Sequence, residues 1–110
     1  MAEYRVLKTG EFDESFYRLN SIARKRIGRF LDQLQDKGGM VGKPLSVPFI
    51  REKKFNGNRL YFLVYVELKA VLVVGISTKK AQSVVIAGVK AKLGEYREMV
   101  LHMLQENPYL

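Results

Sequence analysis

The spacing of apolar residues predicts a strand and two helices in the first third of the chain. Alternation over residues 4–8 favours a short strand. Apolar residues three and four positions apart then recur over 12–19 and again over 23–34, which is the pattern of two amphipathic helices. Thr9 suits the N-cap of the first helix, and the glycine pair at 38–39 ends the second. Two such helices in sequence predict a helical hairpin that packs on a sheet.

The middle of the chain changes to a period of two. Residues 40–48 contain two prolines and a glycine, which predict a loop. Residues 49–55 and 58–66 then flank an Asn-Gly pair, the strongest short signal of a two-residue β-hairpin turn. Residues 70–76 are apolar on both faces and predict a central strand that is buried, or nearly so, on both sides.

The last apolar pattern predicts a C-terminal helix. Its residues recur three and four positions apart from Ile86 to Met103, while Gly88 and Gly94 weaken it, so we expect a bend or a break near 94. The element order β-α-α-β-β-β-α predicts one α+β domain over residues 1–110. It consists of an N-terminal strand, a helical hairpin packed on a mostly antiparallel twisted sheet of about four strands, and a C-terminal helix.

The composition excludes several classes of functional site but does not identify the function. The 110 residues include no cysteine and a single histidine, His102, which argues against disulfides, thiolate or histidine metal sites and a Ser-His-Asp triad. No apolar run approaches a membrane span, and the first residues lack the apolar centre of a signal peptide. We therefore expect a cytoplasmic protein with no metal, no cofactor and no membrane contact. The net charge of +8 favours a polyanionic partner, whether RNA, DNA or an acidic protein, or else a protein that is simply basic.

The hairpin segment KKFNGNRLYF carries an unusual charge pair. A two-residue turn sets Lys54 directly opposite Arg59 and Glu52 opposite Tyr61. Like charges directly opposite each other destabilise a sheet, and a phosphate bound between them would relieve the repulsion. Alternatively, the two side chains splay apart at a solvated edge. Glu52, Lys54, Arg59 and Tyr61 share one face of the hairpin, which we expect to lie away from the core. The opposite face carries Leu60, Phe62, Val64 and Val66 and is the predicted core face.

Other basic residues lie near this pair in the sequence. Arg51 and Lys53 fall on the apolar side of their strand, where we expect them to reach past the sheet edge. A β-bulge that shifts the register by one residue would change this assignment. Lys79 and Lys80 follow the central strand and either add positive charge to the same concave surface or are ordinary loop lysines.

The order of elements and several segments resemble the RelE/ParE toxins of type II toxin–antitoxin systems, in particular the addiction-module killer branch. The resemblance runs from about Tyr4 to Tyr96. Its segments are TGEFDESFYRL, the Arg-rich ARKRIGRFLDQL, GKPLS, IREKKFNGNRLYFLVY and VLVVGISTKKAQ. Residues from about 97 to 110 would form a C-terminal helical extension, as in ParE and killer-type members.

The resemblance implies a ribosome-dependent mRNA endonuclease in which a 2′-hydroxyl attacks the neighbouring phosphate. It places Arg59 on the scissile phosphate, Lys54 as base or electrostatic stabiliser, and Lys79 with Lys80 at the leaving 5′-oxygen. Glu52 would orient its cationic neighbours. The resemblance also implies an RNA-binding surface formed by the hairpin and the loop before it: Lys43, Arg51, Glu52, Lys53 and Tyr61.

The implied partners are a cognate antitoxin, the ribosome and mRNA, with the chain existing as a monomer or in an antitoxin-bound hetero-oligomer. RelE carries a tyrosine after the last strand, whereas here SVVIAGV contains neither tyrosine nor histidine. Tyr61, Tyr96 or His102 would replace it only if the fold brings one of them close. This departure leaves two alternatives open: a ParE-like toxin that inhibits DNA gyrase, and a catalytically degenerate domain that binds RNA or a partner.

Overall fold

The computed structural model describes residues 3–38, 41–45 and 49–106 and has an α+β fold, with a five-stranded sheet between two layers of helices. The strands are β1 (Arg5–Lys8), β2 (Lys43–Pro44), β3 (Ile50–Phe55), β4 (Asn58–Tyr65) and β5 (Ala70–Thr78). The helices are α1 (Gly10–Tyr17), α2 (Ser21–Lys37), α3 (Gln82–Ala91) and α4 (Leu93–Glu106), with a 3₁₀ turn at Val66–Leu68.

The sheet is mostly antiparallel, as predicted, and β5 lies inside it. The strand order is β1-β5-β4-β3-β2; only the β1–β5 pairing is parallel. The predicted loop over 40–48 differs in one respect, because Lys43 and Pro44 form the two-residue edge strand β2. Proline is tolerated at such an edge because it need not donate to a further strand. Residues 39–40 and 46–48 of that stretch lie outside the described residues.

The helical hairpin covers one face of the sheet. The buried residues of the helices are Phe12, Ile27, Phe30 and Leu34. They pack on the predicted core face of β4 and on alternate residues of β5, namely Leu60, Phe62, Val64, Val71 and Val73. Thr9 caps α1 as predicted, because its Oγ1 accepts the N–H of Phe12 at 3.1 Å. The same hydroxyl donates to the carbonyl of Val74 at 3.1 Å and is buried. The cap therefore also joins α1 to the centre of the sheet.

The other face of the sheet is covered as well, which corrects the prediction that it lies away from the core. The C-terminal helices pack there on the alternate residues of β4 and β5, and the buried members include Tyr61, Leu63, Tyr65, Leu72, Val89, Tyr96 and Val100. The physical reason is that β5 is apolar on both faces and needs cover on each. Val66, predicted to lie in the core, is exposed because the strand gives way to the 3₁₀ turn there.

The C-terminal helix divides, as its glycines predict. Lys92 separates α3 from α4, two residues before Gly94. Of the predicted extension, residues 107–110 lie outside the described part. Within the described ranges, no helix combines the length and the apolar character needed to cross a membrane.

Candidate functional site

The strand register brings the predicted charged residues together at one end of the sheet. On the side of the C-terminal helices, Lys54 pairs with Arg59, and Arg59 pairs with Ser77. The β3–β4 register is the one that the Asn-Gly turn predicts, and the irregularity lies instead between β4 and β5 at Tyr61–Phe62. We call the surface formed by Glu52, Lys54, Arg59, Tyr61, Ser77 and Gln82 the hairpin site.

Arg59 is a buried cation of the hairpin site. Arg59 is only 7% exposed, and its Nη1 makes a long hydrogen bond of 3.4 Å to the carbonyl of Gly57. Its Nε is buried and has no hydrogen-bond acceptor among the described residues. Lys54, directly across the hairpin, is exposed and adds a second positive charge. A guanidinium whose Nη1 makes only a long hydrogen bond, and which lies opposite a second cation, favours an anion as its partner.

Within the described residues, Glu52 forms no ion pair closer than 4.0 Å with Lys54 or Arg59 and is instead bonded by Gln82. Glu52 is 3% exposed, and Nε2 of Gln82 donates to its two carboxylate oxygens at 3.1 and 2.8 Å. Gln82 is the first residue of α3, so this contact joins the start of that helix to β3. The sequence pattern offered no signal for Gln82, since the contact depends on where α3 begins and how it returns to the sheet.

Tyr61 lies in the next row of the hairpin site and contacts a residue that the sequence reasoning missed. Its hydroxyl is 2.8 Å from Oγ of Ser77, and that Oγ donates to the carbonyl of Thr78 at 3.0 Å. Burial raises the pKa of Tyr61, against a smaller lowering by the Ser77 hydrogen bond, while Glu52 raises it and Arg59 lowers it. Tyr61 is fully buried, so Ser77 is the hydroxyl of this pair that a ligand could reach.

Lys79 and Lys80 lie at the same end of the sheet. The backbone N–H of Lys79 donates to the carbonyl of Gly57 at 3.3 Å, the same oxygen that the guanidinium of Arg59 contacts. Both lysines are exposed. The lysine segment after β5 therefore adjoins the hairpin turn, as the prediction of a shared concave surface requires.

The remaining predicted RNA-binding residues divide between the two faces of the sheet. Lys43 pairs across the sheet with Glu52 and is exposed. Arg51 lies on the helical-hairpin side, where its Nε donates to the carbonyl of Val41 at 2.9 Å and its Nη2 to that of Gly42 at 2.7 Å. These bonds hold the loop before β3, so the side chain does not reach freely past the sheet edge. Lys53 is exposed, and its Nζ lies 5.8 Å from the centre of the Phe30 ring, on the side of α2.

Only one of the three proposed proton-transfer substitutes belongs to the hairpin site. That residue is Tyr61. Tyr96 lies on α4 and is buried in the core between that helix and the sheet, and burial raises its pKa. His102 lies on the exposed part of α4, where its Nε2 is 3.0 Å from a carboxylate oxygen of Glu106. Across the described residues, no three His, Cys, Asp or Glu side chains cluster in a way that could hold a metal ion.

The arrangement of a helical hairpin, a mostly antiparallel sheet and C-terminal helices on the opposite face is the fold of RelE-type toxins. A mutant of the E. coli toxin RelE in the free state superposes with a TM-score of 0.68, at 21% identity, over 83% of this chain and 98% of that one. The Mycobacterium tuberculosis RelBE2 toxin–antitoxin complex gives a TM-score of 0.60, at 20% identity, over 72% and 94%. A chromosomal ParDE system of P. aeruginosa gives 0.50, at 15% identity, over 69% and 96%. No protein-family model and no curated protein matches the chain.

Proposed function

We propose that this protein is the toxin of a toxin–antitoxin system and that it cleaves mRNA on the ribosome. The observation that carries the proposal is that Arg59, whose Nη1 makes only a 3.4 Å hydrogen bond to the carbonyl of Gly57, faces a second cation, Lys54, across the hairpin. The fold supports the toxin class, since the structures it matches are toxins of RelBE and ParDE systems. A phosphate group supplies the acceptors and the negative charge that this pair lacks.

The reaction needs no cofactor in this proposal. The 2′-oxygen of one nucleotide attacks the adjacent phosphorus, the P–O5′ bond breaks, and the products are a 2′,3′-cyclic phosphate and a 5′-hydroxyl. Arg59 holds the non-bridging oxygens as charge develops on them. Lys54 in its neutral form takes the 2′-hydroxyl proton, or as a cation it stabilises the oxyanion while water takes that proton. Lys79 or Lys80 gives a proton to the leaving 5′-oxygen, which becomes the 5′-hydroxyl. Ser77, hydrogen-bonded to Tyr61, is the hydroxyl next to Arg59 that can share in proton transfer.

Mapping of mRNA 5′ ends in a reconstituted translation reaction tests the proposal. The wild-type protein should produce new ends on ribosome-bound mRNA, and Lys54→Ala with Arg59→Ala should abolish them. Arg18→Ala with Lys90→Ala is the matched control, because it removes one arginine and one lysine at exposed positions outside the hairpin site. Lys54→Ala alone is a second variant whose exposed position preserves the fold, and it should slow cleavage by about 10²-fold or more. Wild-type protein that binds ribosomes without cutting mRNA would refute the proposed activity.

The second candidate function is inhibition of DNA gyrase by a ParE-like toxin. It is favoured by the absence of tyrosine and histidine from residues 81–90 and by the helix α4, which continues to Glu106. The ParDE structure matches the fold, although with a lower TM-score than RelE. Gyrase-dependent DNA breaks in the presence of the protein, together with intact mRNA, would select this candidate.

Either toxin implies a cognate antitoxin as partner. RelB accompanies RelE in several of the structures with this fold. We expect a small protein encoded beside this one to bind it and to cover the basic surface by folding on it. Co-purification of the two proteins from one operon tests this. A neighbouring reading frame whose product fails to bind would contradict it.

A further inference from the structure

A second basic surface lies on the opposite side of the hairpin from Arg59. A groove of about 250 Å³ runs between α2 and β3. Its charged lining consists of Arg26 and Arg29 from the helix and Lys53 and Lys54 from the strand, with Phe30 and Phe55 beneath them. None of the side chains that line the groove is acidic.

The groove gathers positive charge that this fold does not neutralise. Arg26 and Arg29 are three positions apart on α2 and therefore project from the same side of the helix. Among the described residues, the ion pairs closer than 4.0 Å are Arg97–Glu67 and His102–Glu106, and both involve α4. The side chains of Arg26, Arg29 and Lys53 on this side of the sheet thus have water and salt as their counterions, and a bound polyanion would release the salt ions.

The floor of the groove is aromatic and rigid. Phe30 is buried and packs edge-to-face on Phe55 and Phe62, with ring centres 5.8 and 5.6 Å apart. Phe55 is only partly buried, so it presents an aromatic surface inside the basic lining. Positive charge around a partly exposed ring is the combination that single-stranded nucleic acids use for backbone contact and base stacking.

The groove is continuous with the hairpin site through Lys54. The side chain of Lys54 lies on the side of Arg59, while the residue itself borders the groove at the sheet edge. Within the described residues, β2 pairs with β3 only at Arg51 and Glu52, and no described strand pairs with the rest of that edge of β3. A strand that has a phosphate at Arg59 can therefore pass over this edge and enter the groove. An acidic peptide would also match the charge, but it would not use the partly exposed ring or this continuity with a phosphate site.

We propose that the groove between α2 and β3 binds the phosphate backbone of single-stranded RNA, extending the RNA contact of the hairpin site by several nucleotides. Arg26 and Arg29 each contact a phosphate, Lys53 and Lys54 guide the strand over the sheet edge, and Phe55 stacks on a base. This inference rests on the proposed function for the identity of the ligand. It concerns residues of α2 that take no part in the cleavage reaction.

The test measures RNA binding apart from cleavage. The probe is a fluorescent RNA of about 12 nucleotides with 2′-O-methyl ribose throughout, which has no 2′-hydroxyl to attack the phosphate. Binding is followed by anisotropy at several salt concentrations for the wild type and for Arg26→Gln with Arg29→Gln. Loss of two phosphate contacts should lower the slope of log K against log salt by about 1.4 and weaken binding about 25-fold at 0.1 M salt.

Two matched variants keep the result interpretable. Lys25→Gln with Lys37→Gln removes the same charge from exposed positions of the same helix outside the groove, and it should leave the slope nearly unchanged. Arg26→Lys with Arg29→Lys keeps the charge and should retain most of the slope. Equal slopes for the wild type and the Arg26/Arg29 glutamine variant overturn the proposal, and so does a wild type that does not bind the probe.

Failure of the groove and failure of the proposed function are distinguishable. If the wild type binds the probe through Arg26 and Arg29 but mRNA is not cut on ribosomes, the RNA-binding role of the groove is supported and the proposed endonuclease activity is refuted. If mRNA is cut and the glutamine variant binds RNA as the wild type does, the endonuclease activity is supported and the RNA-binding role of the groove is refuted. Stronger competition by an oligoglutamate than by unlabelled RNA, lost in the glutamine variant, would assign the groove to an acidic protein segment and overturn the proposal.

Discussion

Truncation of Gln82 should destabilise the protein because it leaves the carboxylate of Glu52 buried without its partner. Glu52 is 3% exposed, and Nε2 of Gln82 donates to both of its oxygens. Losing a partner costs a buried polar group about 1–3 kcal/mol, and a charged group more, while water admitted by the shorter side chain offsets part of the loss. We therefore expect Gln82→Ala to lower the free energy of unfolding by about 2 kcal/mol.

This loss is large enough to measure by thermal unfolding. A chain of 110 residues has an unfolding entropy of about 0.23 kcal/mol/K, so Gln82→Ala should lower the Tm by about 9 °C. Gln105→Ala, at an exposed position of α4, is the matched control and should change the Tm by less than about 2 °C. Glu52→Gln keeps the shape of the side chain without its charge and completes a double-mutant cycle with Gln82→Ala.

The cycle decides whether the contact itself is the cause. If Gln82 stabilises the protein through Glu52, the two substitutions should be coupled by about 1 kcal/mol or more. Additive effects would show that Gln82 acts through the start of α3 and not through the carboxylate. A Tm for Gln82→Ala within 2 °C of the wild type would refute the reasoning altogether, because a buried carboxylate would then have lost its partner at no cost.

Three further predictions concern the packing that supports the site. Burial raises the pKa of Tyr65 from its usual value of 10.0 to about 12. The folded state therefore favours the neutral phenol, and this contribution to stability is complete below about pH 10 and is lost as the pH rises toward 12. The fall of the Tm over that range should therefore be shallower in Tyr65→Phe, and an unchanged fall would contradict the assignment. Gly42→Ala should cost more than about 1 kcal/mol, because φ is +79° and a Cβ would lie 2.6 Å from the Phe62 ring and 2.9 Å from the Glu52 carbonyl oxygen. Gly88 lies in the interior of α3, and a Cβ added there would have no atom within 4 Å, so Gly88→Ala should raise the free energy of unfolding by about 0.5–1 kcal/mol. Urea unfolding that finds Gly42→Ala more stable than Gly88→Ala would refute this. Thr9→Val should cost about 1–2 kcal/mol by removing the cap of α1, and an unchanged urea midpoint would show that the hydroxyl is dispensable.

The cross-strand pairing at the hairpin site could be predicted because it depends on local chemistry. An Asn-Gly turn needs positive φ at both central residues, and Asn56 and Gly57 adopt 44° and 86°. Once the turn has two residues, the pairing of Lys54 with Arg59 follows from counting along the strands. The amphipathic patterns were sufficient to predict α1 and α2 for the same reason. Each pattern depends only on which side of one helix is buried.

The surroundings of that pair could not be predicted from the same pattern. The alternation in β4 identified a charged face but not what covers it, so Tyr61 and Arg59 were expected away from the core and are buried. Two signals were present: β5 is apolar on both faces, and Tyr61, Leu63 and Tyr65 are large side chains on the supposedly open side. Neither states which segment returns to cover that face.

The sequence by itself determined the helices, the strands other than β2, the hairpin register and the concentration of positive charge, because these depend on residues that are close along the chain. Tertiary structure alone decided that α3 and α4 cover the charged face, that Gln82 engages Glu52, and that Ser77 meets Tyr61. It also brought Arg26 and Arg29 of α2 to the strand of Lys53 and Lys54. The physical reason is that burial and desolvation depend on every segment that packs around a group, and those segments are distant in sequence.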